Sequence, residues 1–143
     1  METINHNTSV RTYKNHDELE EEVLSLIIIA NESAQNAYAP YSHYKVGAAL
    51  LLNNGKIVTG NNQENAAYPS GLCAERTALF YASSQFPTTP FLKIAIASIH
   101  PHKKGTKPIS PCGSCRQALI EYEQKFNQEI EVLLAAENGE VYV

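Results

Sequence analysis

Apolar residues recur at steps of three and four along residues 17–38, which is the spacing of an amphipathic helix. Pro40 ends this periodicity, because a proline disfavours the helical conformation in the residue before it. Residues 73–84 are rich in Ala, Glu and Leu, and a similar stretch follows Pro111 up to about Phe126. The pattern therefore predicts three helices.

Apolar runs with β-branched residues, bounded by polar turn residues, predict the strands. They cover residues 46–53, 56–60, 92–99, 130–135 and 140–143. Asn54-Gly55 and Asn138-Gly139 each favour a tight two-residue hairpin turn. Helices that alternate with these strands predict an α/β fold, a three-layer α/β/α sandwich with a mixed central sheet.

The composition is that of a globular chain: 143 residues, of which 43% are apolar and 18% charged. We expect a polar, flexible tail over residues 1–16 and a single domain over residues 17–143. No apolar run is long enough to span a membrane, and the polar start favours a cytoplasmic location. A net charge of −4 without a Lys/Arg cluster argues against a nucleic-acid partner.

All three cysteines fall in two short segments, Cys73-Ala-Glu and Pro-Cys112-Gly-Ser-Cys115. Cys-x-x-Cys lets two thiolates converge on one ion, and each segment begins a predicted helix, whose N-terminal dipole favours the thiolate. Three ligands leave the fourth tetrahedral position open to water, as in catalytic zinc sites. The sequence therefore predicts one catalytic Zn²⁺ per subunit.

Two charged residues follow the first cysteine. Glu75 lies two residues after Cys73, on the same helical turn, where a carboxylate can move protons between water and a substrate. Three thiolates give a zinc site a formal charge of −1. Arg76, which is not a ligand, is placed to supply the positive charge that offsets it. We therefore predict Glu75 as the general acid/base and Arg76 as a supporting residue.

A structural zinc knuckle or a redox pair is the alternative explanation of Cys112-x-x-Cys115. A structural site needs a fourth ligand, and the chain has no fourth cysteine. His100 and His102 precede the motif in a loop, and His43 lies in a turn without a paired ligand. These positions favour the catalytic interpretation.

The chain matches the zinc-deaminase signature, a ligand, one residue, Glu, and then Pro-Cys-x-x-Cys, in its three-cysteine version. From about Ala30 to Gly139 it resembles the homotetrameric cytidine deaminases. The segments that carry the resemblance are Ala39 to Ala49, Gly60 to Ala66, Cys73 to Ala78 and Ser110 to Gln117.

The resemblance implies hydrolysis of cytidine and 2′-deoxycytidine to uridine and 2′-deoxyuridine with release of ammonia, a pyrimidine salvage reaction, in a homotetramer. It assigns the ribose hydroxyls to Asn62 and Glu64. It assigns stacking on the pyrimidine to Tyr44, where the family usually has Phe. The backbone around Ala66 and Cys73 would bind the base.

In the mechanism implied by the resemblance, Glu75 takes a proton from zinc-bound water and passes one to ring nitrogen N3, and it then protonates the departing amine. The family commonly completes each site with an aromatic residue of a neighbouring subunit near its C-terminus. The chain ends at Val143 without it, so we expect a C-terminal end that is short for the family.

Three alternatives stay open at this point. Deaminases of tRNA or single-stranded DNA usually have histidine as the first ligand, unlike Cys73, and need a basic path for the strand. A deaminase of an aminonucleoside antibiotic such as blasticidin S should lack the Asn62-x-Glu64 pair. A non-catalytic zinc-binding subunit would keep the thiols without turnover.

Overall fold

The computed structural model describes residues 2–4, 9–100, 105 and 107–143; His102 and part of the predicted tail, residues 1 and 5–8, lie outside them. The strands are β1 (Thr12–Tyr13), β2 (Lys45–Leu52), β3 (Ile57–Asn61), β4 (Phe91–Ile99), β5 (Glu131–Ala135) and β6 (Val141–Tyr142). The helices are α1 (Glu21–Gln35), α2 (Ala74–Gln85) and α3 (Gly113–Phe126), with short 3₁₀ turns at His16–Glu18 and Tyr68–Ser70.

One sheet contains the six strands in the order β1-β6-β5-β4-β2-β3. It is mixed: β4 and β5 run parallel, whereas the remaining neighbours are antiparallel. The parallel pair requires a crossover, and α3 provides it. The expectation of an α/β fold with a mixed sheet is confirmed.

Two clusters of buried residues pack against the two faces of the sheet, and β4 contributes to both. Ile94 and Ile96 face α2 and α3, whereas Ala95 and Ala97 face α1. This alternation follows from the two-residue period of a strand. The sheet is therefore the middle layer of an α/β/α sandwich, with α1 on one face and both α2 and α3 on the other.

At two glycines of the sheet, the absence of a side chain lets a helix backbone pack directly against the strand backbone. A Cβ on Gly47 would lie 2.0 Å from the carbonyl oxygen of Ala30 in α1. A Cβ on Gly60 would lie 2.5 Å from the carbonyl oxygen of Ala74 and from the amide nitrogen of Ala78, both in α2. Any larger residue at Gly60 would therefore displace the start of α2.

The first helix is shorter than the apolar periodicity predicts. It begins at Glu21, because Leu19 and Glu20 have extended backbone after the 3₁₀ turn, and it ends at Gln35 rather than at residue 38. The tyrosine at position 38 instead pairs with Gln63 in an isolated β-bridge. Tertiary pairing thus overrides the helical pattern at this end.

Both predicted hairpin turns are present, but each has three residues instead of two. The Leu52 N–H donates to the Lys56 carbonyl, and the Gly55 N–H donates back to Leu52. Gly55 has φ +79°, the left-handed value that follows a type I turn in three-residue hairpins. The second turn repeats these bonds, with Gly139 at φ +94°.

The end of the segment predicted as a tail forms an edge strand. Arg11 exchanges two backbone hydrogen bonds with Val143, and β1 pairs with β6. The Arg11 guanidinium also forms an ion pair with Glu131, which in turn contacts Lys93.

Among the described residues, none of the helices is both long and apolar enough to cross a membrane.

Candidate metal centre and active site

Helices α2 and α3 present their N-termini at one end of the sheet. Cys73 is the N-cap of α2, Cys112 is the N-cap of α3, and Cys115 lies in the first turn of α3. The loop that leads to α3 leaves the carboxyl end of β4, where open α/β sheets usually bind ligands. Topology therefore brings together two cysteine segments that are far apart in sequence.

The three sulfur atoms are spaced for one tetrahedral ion. The Cys73 Sγ lies 3.9 Å from the Cys112 Sγ, which lies 3.5 Å from the Cys115 Sγ. All three sulfurs fall within 4.8 Å of one another. Tetrahedral Zn²⁺ with Zn–S bonds of about 2.3 Å requires sulfurs about 3.8 Å apart. The donor set and its spacing fit zinc.

The thiols share protons unevenly. A hydrogen bond from the Cys115 thiol and the nearby Arg76 guanidinium lower the pKa of Cys73 to about 5, despite its partial burial. The same bond to Cys73, together with burial, raises the pKa of Cys115. A metal cation that binds these thiols displaces their protons into solution, so the cluster is chemically suited to a metal.

Arg76 contacts the cluster through its guanidinium group. Its Nη2 donates to the Cys73 Sγ at 3.7 Å, and its position in the first turn of α2 keeps the positive charge beside the thiolate. The Nε atom of Arg76 is buried without a hydrogen-bond partner. The guanidinium therefore contacts the Cys73 sulfur through Nη2.

Glu75 is buried, with 5% of its surface exposed. This burial raises the pKa of its carboxyl group above the usual value, and the neighbouring Cys73 thiolate adds to the rise. A raised pKa brings the carboxyl closer to the operating pH, which is the condition under which a side chain exchanges protons efficiently. Its pKa is therefore raised first by burial and then by the negative charge of the Cys73 thiolate.

A connector, residues 62–73, joins the end of β3 to the start of α2 and contacts the start of β2. Gln63 exchanges two backbone hydrogen bonds with Leu72, directly before Cys73. The Asn62 side chain accepts a bond from the Val46 N–H at 2.8 Å and donates to the Tyr44 carbonyl at 3.0 Å. Asn62 thus holds the backbone on which the predicted stacking residue sits.

Glu64 lies on the same connector and holds the loop before β2. Its carboxylate accepts hydrogen bonds from the N–H groups of Tyr41 and Ser42 and from the Ser42 hydroxyl. These donors, led by the hydroxyl, lower the pKa of Glu64. The carboxylate is therefore ionised and is already bonded to the protein.

Tyr44 is half-buried, and its hydroxyl has a partner. It donates to the Ser98 Oγ at 2.9 Å, and the His100 ring meets the Tyr44 ring edge-on at 5.6 Å between centroids. Sequence reasoning did not identify Ser98. The sequence feature that could have identified it is a serine that follows Ile94 and Ile96 on the same face of the strand.

The predicted base-binding position Ala66 and the rejected ligand candidate His43 both lie outside the thiol cluster. Ala66 is exposed on the loop between β3 and α2, where the Asn65 side chain accepts a bond from the Ala67 N–H. His43 has φ +56° in the turn before Tyr44. Among the described residues, the metal-ligating cluster consists of the three cysteines alone, so His43 and His100 stand apart from it.

A mixed sheet, paired helix N-termini with three thiols and a buried carboxyl beside them define the class of zinc-dependent hydrolytic enzymes. Residues 20–127 match the profile of the cytidine and deoxycytidylate deaminase zinc-binding region. The chain belongs to the cytidine and deoxycytidylate deaminase family. It carries the zinc-binding region of that family, as the cysteine pattern predicted.

Curated relatives agree with this assignment. The cytidine deaminase of Halalkalibacterium halodurans is 45% identical over 96 residues, which cover 67% of this chain and 68% of that protein. A probable cytidine deaminase of Dictyostelium discoideum is 44% identical over 103 residues, covering 72% of this chain and 67% of that protein.

Solved structures extend the likeness to the fold. The crystal structure of cytidine deaminase from Burkholderia pseudomallei superposes with a TM-score of 0.68 at 42% identity, covering 81% of this chain and 84% of that one. Cytidine deaminase from Mycobacterium tuberculosis gives a TM-score of 0.61 at 35% identity, covering 76% and 80%.

Proposed function

We propose that this chain hydrolyses the exocyclic amine of cytidine and 2′-deoxycytidine, giving uridine and 2′-deoxyuridine and releasing ammonia, as a step of pyrimidine salvage. The observation that carries the proposal is the cluster of three thiols with a buried glutamate beside it. The names of the relatives supply the substrate class.

Cys73, Cys112 and Cys115 hold the zinc in this proposal. When bound, zinc supplies the Lewis acidity that makes water a nucleophile near neutral pH. Arg76 keeps a positive charge beside the Cys73 sulfur, at 3.7 Å, and so offsets part of the thiolate charge. This arrangement limits the negative potential that would otherwise oppose deprotonation of water.

Glu75 carries the proton. Its carboxylate accepts a proton from the attacking water and delivers it to N3 of the pyrimidine while a C4–O bond forms. It then takes the second proton of the water from the new C4 hydroxyl and passes it to the amino group as the C4–N bond breaks and the C4=O bond forms, so that water and cytidine give uridine and ammonia. Burial favours this role because the pKa of Glu75 is raised.

The nucleoside lies between the thiol cluster and the loop before β2. Tyr44 stacks on the base, and the backbone near Ala66 and Cys73 contacts the polar edge of the base. Asn62 and Glu64 face the ribose hydroxyls while their other contacts hold the loop. A carboxylate has several acceptor positions, so Glu64 can bond the protein and a sugar together.

The direct test follows the ultraviolet change from cytidine to uridine with the purified, zinc-loaded protein. A chelator-stripped sample and adenosine are the controls. Zinc-dependent turnover of cytidine without turnover of adenosine supports the proposal. Stoichiometric zinc binding without turnover of cytidine or 2′-deoxycytidine contradicts it and favours a non-catalytic zinc-binding subunit.

We also propose that the chain assembles as a homotetramer in the cytoplasm. Cys112 is exposed in the single chain, so a neighbouring subunit is needed to shield the site from bulk water. Tyr68, Phe80 and Tyr81 expose 91%, 45% and 57% of their surfaces around the helix that carries Cys73. A monomeric mass in light scattering at assay concentration would contradict this assembly.

A further inference from the structure

We infer that Ser98 is a positioning residue that fixes the Tyr44 ring as one wall of the nucleoside site. This inference rests on the proposed function, because it concerns how the pyrimidine is held during deamination. It concerns a contact between the carboxyl end of β4 and the start of β2.

The strand register places Ser98 on the sheet face that carries the thiols. Ser98 follows Ile94 and Ile96 at steps of two, and both isoleucines pack towards α2 and α3. Its Cα partner on β2 is Val46, which packs against the same cluster. On this face of β4, Ser98 is thus the polar residue that follows the apolar core residues and lies next to the site.

A hydroxyl at this position requires a partner. Ser98 is 5% exposed, and a buried polar group that lacks a hydrogen bond is destabilising. Tyr44 supplies the bond at 2.9 Å, and its ring thereby spans from β2 to β4. The bond fixes the ring at its far end, since Asn62 already fixes the backbone carbonyl of Tyr44.

A second contact limits rotation of the ring. The His100 ring meets it edge-on, with planes at 77°. His100 is itself held by its backbone, because its N–H donates to the Glu137 carboxylate at 2.7 Å. The ring of Tyr44 is therefore held by the Ser98 hydroxyl at its polar tip and by His100 against the ring, while Asn62 and Ser42 bond its backbone.

This arrangement gives Ser98 a measurable effect on substrate binding. Stacking on the base is similar in the ground state and the transition state, so losing the alignment raises KM more than it lowers kcat. Loss of one buried hydrogen bond predicts a rise in the KM for cytidine of about 5- to 30-fold in Ser98→Ala. Tyr44→Phe removes the same bond from the other side and should raise KM similarly.

The double variant Tyr44→Phe/Ser98→Ala separates positioning from a general structural role. Replacing both partners leaves no polar group unsatisfied, so its KM should be lower than the product of the two single effects predicts. Ser33→Ala is the matched control. Ser33, on α1, is likewise a buried serine, but its hydroxyl donates to the carbonyl of Gly60. This substitution should lower stability and leave KM unchanged.

Ring-labelled tyrosine NMR supplies a readout that is independent of turnover. The Tyr44 signal is identified by its loss in Tyr44→Phe, and it should shift in Ser98→Ala but not in Ser33→Ala. If the wild type turns over cytidine, two outcomes overturn this inference alone. One is an unchanged KM in both single variants, and the other is a double variant whose KM effect is the product of the two single effects. Absence of cytidine turnover in the zinc-loaded wild type overturns the proposed function and this inference with it.

Discussion

Replacing Gly60 by alanine should impair catalysis by displacing the helix that carries Cys73 and Glu75. The added Cβ would lie 2.5 Å from two backbone atoms of α2, at Ala74 and Ala78. Ordinary carbon contacts lie near 3.5 Å, so α2 must move away from the sheet by about 1 Å. The backbone of a helix cannot yield locally as a flexible side chain can.

Two effects of different size follow from this displacement. Overpacking of a close-packed interface destabilises a protein by about 1–3 kcal/mol. A misplacement of about 1 Å in catalytic groups can lower the rate by about 10²-fold. We therefore expect Gly60→Ala to lose far more kcat than its loss of stability alone explains, and to bind zinc more weakly.

Gly47→Ala is the matched control for Gly60→Ala. Its Cβ would lie 2.0 Å from the carbonyl oxygen of Ala30, so it is also overpacked, but against α1 on the face away from the thiols. Urea unfolding measures stability, steady-state cytidine deamination measures kcat, and a chromogenic chelator measures zinc release. Assays at about 10–20 °C, near maximum stability, keep both variants folded.

Opposite outcomes of this comparison are easily distinguished. Loss of kcat in Gly60→Ala with retention in Gly47→Ala supports displacement of α2. Equal losses of kcat in the two variants would mean that general destabilisation, not the position of α2, lowers the rate. A Gly60→Ala protein with the stability and kcat of the wild type would refute the close-contact argument altogether.

Three other substitutions test the proposed roles around the thiols. Glu75→Ala should retain zinc by metal analysis and lose about 10²–10⁴-fold in kcat, because the proton carrier is absent; wild-type turnover would exclude Glu75 from the mechanism. Arg76→Gln should lower kcat and shift the pH–rate profile, because the thiolate charge is no longer offset; an unchanged profile would contradict this. Glu64→Gln should raise KM for cytidine more than for 3′-deoxycytidine if it bonds the ribose, whereas equal rises would indicate that it acts only through the Tyr41–Ser42 loop.

The metal centre could be predicted from sequence because its chemistry demands fixed residue types at short spacing. Cys112-x-x-Cys115 places two sulfurs on one helical turn, and Glu75 lies on the same turn as Cys73. Only the spatial proximity of the Cys73 segment and the Cys112–Cys115 segment could not be predicted from local spacing, because it depends on the fold. The sulfurs lie 3.9 Å apart across 39 positions of the chain, and helix N-termini at one end of a sheet accomplish this.

The contacts that hold the substrate side of the site could not be predicted in the same way. Apolar alternation along β4 fixes which face Ser98 occupies, but its partner Tyr44 lies 54 positions earlier, directly before β2. Strand β1 and its pairing with the predicted last strand were missed because a two-residue strand is too short to show a periodicity. Long-range pairing also ended α1 at Gln35, where Tyr38 pairs with the connector instead of continuing the helix.

The two helices that hold the thiols reach the site for different physical reasons. Helix α3 is the crossover between the parallel strands β4 and β5, so its N-terminus must begin near the carboxyl end of β4. Helix α2 has no such topological constraint, and its distance from the sheet depends on the missing side chain of Gly60. Cys112 and Cys115 are therefore fixed by the fold, whereas Cys73 and Glu75 are fixed by packing. Packing faults should accordingly weaken proton transfer and the Cys73 ligand before they disturb the Cys112–Cys115 pair.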